Sequence, residues 1–147
     1  AIAYKGITDE IIATILLHDV CEDCNIPLSA LPVNDVVKRG VKLMTIKPLQ
    51  GEEKSETKRR YFNELLDSKE AIVAKAFDRY ANLNDMDGAL SEEAIVKNIR
   101  ETHELLMPVL KEAKYEYPEL SDMMHTIRKM LRNTLVMMAF YHDVELK

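Results

Sequence analysis

The sequence predicts an all-α protein, on three observations. Four glycines and five prolines in 147 residues leave little material for the turns of a β protein. Eight methionines suit the irregular gaps between packed helices. Apolar residues recur at intervals of three and four, the period of a helix face rather than the alternation of a strand.

Thr8 is placed to cap a first helix whose opening turn holds Asp9 and Glu10. Ile11, Ile12, Ile15 and Leu16 form its buried stripe and carry the helix to His18; Asn25-Ile26-Pro27 ends it. Val33, Val36, Val37, Val41 and Met44 predict a second helix, with Gly40 in its middle and Pro48 beyond its end. Residues 50–60 read as a polar loop entering a helix that continues through Tyr61, Phe62, Leu65 and Leu66. Lys54, Lys58, Arg59 and Arg60 cluster there, either as a solvated face or as a receiver for an anion.

Ile72, Val73, Ala76, Phe77, Tyr80 and Ala81 predict a heavily buried helix over 70–83. Lys75, Asp78 and Asn82 share one of its faces, either as an ion pair or as part of a binding site. Residues 84–88 glance at a calcium loop. Aligned on Gly88, however, Leu83 and Ala94 fall on the first and last ligand positions, so the segment is an inter-helix loop. Ser91 caps a long helix lined by Ile95, Ile99, Leu105, Leu106, Val109 and Leu110, which Pro108 should kink or break. After Tyr117-Pro118, Met123, Met124, Ile127, Met130, Leu131, Leu135 and Met138 predict a final amphipathic helix, whose stripe is core or subunit contact.

Length and composition bound the rest. One domain spans 1–147, with an additional C-terminal helix over 119–147 and an upstream segment expected before Ala1. Hydrophobic residues at 47% and charged residues at 31% fit a soluble globular protein. A net charge of −5 argues against nucleic acid as a partner. No apolar run nears the roughly 20 residues of a membrane span, and no signal peptide is visible. Cys21 and Cys24 have no second pair to complete a zinc site and read as free thiols of a cytoplasmic protein. A homo-oligomer is left open.

The densest chemistry lies at 16–24, where His18, Asp19, Glu22 and Asp23 follow an apolar helical run. Continued as helix, His18 stacks over Glu22 and Asp19 over Asp23. Three carboxylates at a helix C-terminus oppose the macrodipole, so a bound cation is favoured over a merely solvated acidic end. His142-Asp143-Val144 repeats the tripeptide of His18 at the chain end and reads as frayed surface, as do the isolated His103 and His125.

Leu17-His18-Asp19 followed by Glu22-Asp23, with Lys75, Asp78, Arg79 and Asn82 downstream, resembles the HD superfamily of metal-dependent phosphohydrolases. The likeness is nearest to the hydrolase domain of the Rel/Spo alarmone enzymes and their small stand-alone relatives. Gly40-Val41-Lys42-Leu43, Ile99-Arg100-Glu101-Thr102 and Pro108 follow the same family's pattern loosely, so the likeness runs over 8–110. The resemblance implies an HD-domain helical bundle and a manganese ion held by His18, Asp19 and Asp78. It also implies a histidine one helix earlier, which residues 1–147 do not contain.

The same resemblance implies that Glu22 and Asp23 serve the attacking water, that Lys54 contacts phosphate and that Asn82 contacts ribose. Lys75 joins the substrate-binding set, and Lys97 or Asn98 stands near the position of a phosphate-binding arginine. A mixed nitrogen and carboxylate site suits manganese or ferrous iron better than zinc, and a carboxylate one turn on can move the water's proton. The expected activity is removal of the 3′-pyrophosphate from (p)ppGpp. The alternatives are hydrolysis of another nucleotide, or a silent module that binds a nucleotide or a partner helix.

Overall fold

A computed structural model describes residues 6–147, with the side chain of Glu22 outside the described part. The chain is an all-α helical bundle, without a strand among the described residues. Its centre is α5 (Lys69–Asp85), which starts where Ser68 Oγ accepts the Ala71 N–H at 3.1 Å. Ala71, Ile72, Val73, Ala74 and Ala76 are fully buried, which a small-residue run allows because neighbouring helices can approach it from several sides.

On one side lie α1 (Asp9–Leu17) and α3 (Asp35–Met44), capped by Thr8 and Asn34 as their sequences dictate. Gly40 of α3 sits where a Cβ would stand 3.0 Å from Thr14 Oγ1 and 3.2 Å from Glu70 Cβ. A side chain there would press tightly on Thr14 and Glu70 at the α1–α3–α5 junction. The first helix does not run on through 16–24 as expected. His18 is its C-cap, and the chain turns at His18-Asp19 before the short α2 (Val20–Asp23). Asn25 then takes φ 52°, a conformation asparagine tolerates better than most residues. Cys21 is partly buried and Cys24 exposed, and both are free thiols.

α4 (Lys54–Glu64) opens with a capping box between Glu53 and Glu56. α6 (Glu92–Glu101), capped by Ser91, passes into α7 (Met107–Glu116) without a break. The Met107 N–H reaches back five residues to Thr102 C=O, and this π-type turn over Thr102–Leu106 absorbs the missing donor and the ring of Pro108. α8 (Ser121–Tyr141) packs on α5, α6 and α7, and Met123, Met124, Ile127, Leu131 and Leu135 join the same core. The C-terminal helix is thus built into the domain.

The reading of His142 as frayed surface is corrected by its contacts. Its side chain is 6% exposed, with Nδ1 2.9 Å from Glu92 Oε1 and Nε2 3.2 Å from Asp87 Oδ1. It closes the end of α8 against the α5–α6 connection. His103 also has a partner, its Nε2 lying 2.9 Å from the Lys147 carbonyl. No helix among the described residues is long and apolar enough to cross a membrane.

Candidate metal centre and cleft

The break at His18-Asp19 sets the site. Because His18 ends α1, its Nδ1 turns back to the Ile15 carbonyl at 2.7 Å. A carbonyl only accepts, so Nδ1 carries the hydrogen and the ring is fixed with Nε2 outward. Nε2 lies 3.1 Å from Asp19 Oδ2 and 3.2 Å from Asp78 Oδ1. One donor atom from each of these three residues lies within 4.8 Å of the others. A neutral Nε2 would point its lone pair at two carboxylate oxygens, a repulsive arrangement until a proton or a cation sits between them.

The protons respond accordingly. The hydrogen bond to Asp78 raises the His18 pKa, against the opposing effect of burial. For Asp78 burial works against the charge, but the bond from His18 and the charge of Lys75 outweigh it and hold the carboxyl below its ordinary value. Lys75 Nζ stands 3.5 Å from Asp78 Oδ2, and Asn82 Nδ2 donates to Asp78 Oδ1 at 3.3 Å. Lys75, Asp78 and Asn82 therefore both pair ions and build the site. Lys75 lies against the faces of Tyr61, at 5.5 Å, and Phe62, at 6.0 Å, and burial lowers its pKa.

One imidazole nitrogen and two carboxylates at the edge of an open cleft fit a six-coordinate, oxygen-preferring ion that keeps several waters. His103, His125 and His142 all lie elsewhere, so no second histidine joins the group among the described residues.

The cleft holds about 460 Å³ and is bordered by the three candidate ligands, Asp23, Asn82, Lys75 and Lys58, over Tyr61 and Phe62. Asp23 thus faces it as expected. Glu22 has no described side chain, and its expected role lies outside what can be placed.

Two expected substrate contacts fall outside the cleft. Lys54 begins α4 in solvent and does not border it. Lys97 lines a neighbouring groove of about 620 Å³ between α4 and α6. In place of Lys54 stands Lys58, one turn later on the same helix face, which bonds Glu101 on the wall shared by the two cavities. Burial opposes the charge of Glu101, yet Lys58 and Arg79 together hold its pKa below the usual value. Arg79 is buried, reaching Glu101 Oε1 at 2.8 Å and Thr102 Oγ1 at 2.9 Å.

The basic cluster at 54–60 therefore divides by task. Arg60 clamps Glu52 at 2.8 Å, Glu64 at 3.1 Å and the Lys47 carbonyl at 2.6 Å, and pulls the Glu52 pKa down to about 2. Only Lys58 of the four borders the cleft. Glu101 gave little sign in the sequence beyond its place in the Ile99-Arg100-Glu101-Thr102 run; the signal was an arginine on a buried helix, which demands a carboxylate.

Fold and site define an all-α bundle with a nitrogen–oxygen cation site at the mouth of a cleft that carries both acids and lysines. Compared with protein-family models, curated proteins and solved structures, the chain has no match.

Proposed function

We propose that this chain is a divalent-metal-dependent phosphohydrolase of the HD type, acting on a nucleotide and, at its finest, removing pyrophosphate from (p)ppGpp. The observation that carries this reading is the meeting of His18 and Asp19 with Asp78, 60 residues downstream, around one point. Manganese is the ion the resemblance implies, held by these three residues. When bound, such an ion lowers the pKa of its water and neutralises phosphoryl oxygens.

The chain's own residues supply the rest. Asp23, on the same cleft and outside the ligand set, is a carboxylate that can accept the water's proton. Lys58 and Lys75 place positive charge along the cleft for the substrate's phosphates. Lys58 can leave Glu101 for a phosphate because Arg79 still neutralises that carboxylate. Asn82 ties one hydrogen to Asp78 and has a carbonyl oxygen able to accept from a sugar hydroxyl. Tyr61 and Phe62 form the aromatic floor over which the Lys75 ammonium lies.

Incubating the manganese-loaded protein with ppGpp and following pyrophosphate tests the reading. Release that disappears in His18→Ala and Asp78→Ala is expected; release unchanged in both variants contradicts it. Metal-dependent turnover of other nucleotides without ppGpp would retain the hydrolase and remove the alarmone.

A further inference from the structure

α8 reverses the amphipathic rule over its last two turns. A surface helix turns polar residues outward. Here Phe140 is 90% exposed, Tyr141 79%, Met137 72% and Val136 56%. Spaced three and four apart, these four share one stripe of the helix. The stripe continues towards the helix start through exposed Asn133, Arg132 and Lys129. From Lys129 to Tyr141 it runs about 18 Å.

The two ends of the stripe carry opposite charge. Lys129 and Arg132 have no carboxylate within ion-pair distance among the described residues. Beyond Tyr141 lie exposed Asp143 and Glu145, with Lys147 as the cation of that terminal segment. A twofold axis near Met137 lays the basic half of one helix on the acidic end of another and stacks the apolar side chains between them. Such self-complementarity is what an isologous contact requires.

We infer that the exposed face of α8 binds a second copy of this chain, antiparallel, through Val136, Met137, Phe140 and Tyr141. Lys129 and Arg132 of each copy face the acidic C-terminal end of the other. The contact lies on α8, whereas the cleft is bordered by residues of α1 to α6, so association and metal binding are independent properties.

Sedimentation velocity of the full chain across micromolar concentrations tests this. The expected result is a dimer for the native sequence and a monomer for Phe140→Glu, whose side chain lies outside the core, with unchanged circular dichroism. Lys129→Glu and Glu145→Lys should each weaken the dimer at least tenfold at low salt, and the two together should restore it. A native chain that stays monomeric throughout, a dimer indifferent to Phe140→Glu, or charge reversals that fail to compensate would each overturn the inference.

Discussion

His18 Nε2 and Asp78 Oδ1 stand 3.2 Å apart, joining the end of the first helix to the middle of the central one. Asp78 has a second duty in this position, since it also neutralises Lys75. Asp19, by contrast, is 60% exposed, and among the described residues its side chain pairs with His18 alone.

The two aspartates therefore separate in the metal-free protein. Asp78→Ala leaves Lys75 without its counter-charge in a partly buried site and should cost about 1–3 kcal/mol. Asp19→Ala should change stability by less than about 0.5 kcal/mol, as surface substitutions do. Urea denaturation of both variants in the presence of a chelator measures the difference.

Arg79 ties α5 to the α6–α7 turn through Glu101, Thr102 and the Asn98 carbonyl. Arg79→Leu leaves Glu101 to Lys58 alone and removes the donor to Thr102 Oγ1, and should destabilise the domain by about 1–3 kcal/mol. Arg79→Lys should recover only part of this, because an ammonium cannot span the same acceptors as a planar fork. The urea midpoint reports both.

The clasp at His142 gives a pH signature. Its hydrogen bond to Glu92 raises the histidine pKa in the folded chain above the ordinary 6.5. The stabilisation is thus fully present below pH 6.5 and is lost as pH rises through the higher folded value. Hydrogen-exchange protection at the last turn of α8, relative to the intrinsic exchange rate, should fall across that window in the native chain, and His142→Gln should remove that fall. Equal protection on both sides of the window in the native chain would contradict the clasp.

Much of this was legible in the sequence because it is local. The caps at Thr8 and Ser91 and the buried runs of α5 and α8 follow from residue type and helical spacing, whereas the grouping of His18 and Asp19 with Asp78, 60 residues on, was expected only from the family resemblance. The turn at His18-Asp19 was not, since an apolar stripe gives no sign of where a helix ends. Lys54 and Lys58 occupy the same face four residues apart, and only packing against Glu101 decides which one reaches the cleft. Lys97 lines the next groove, which residues of α4 and α6 form together, a placement that spacing along one helix does not set. The contact of His142 with Asp87 and Glu92 spans at least 50 residues, beyond the reach of any local pattern.

The measurement that bears most directly on the central claim is manganese binding by the purified, metal-stripped chain, followed by calorimetry or electron paramagnetic resonance. One ion per chain, with affinity falling at least tenfold in His18→Ala and again in Asp78→Ala, is the expected result. An absence of binding, or binding that both variants leave intact, would mean that these side chains converge for some other reason.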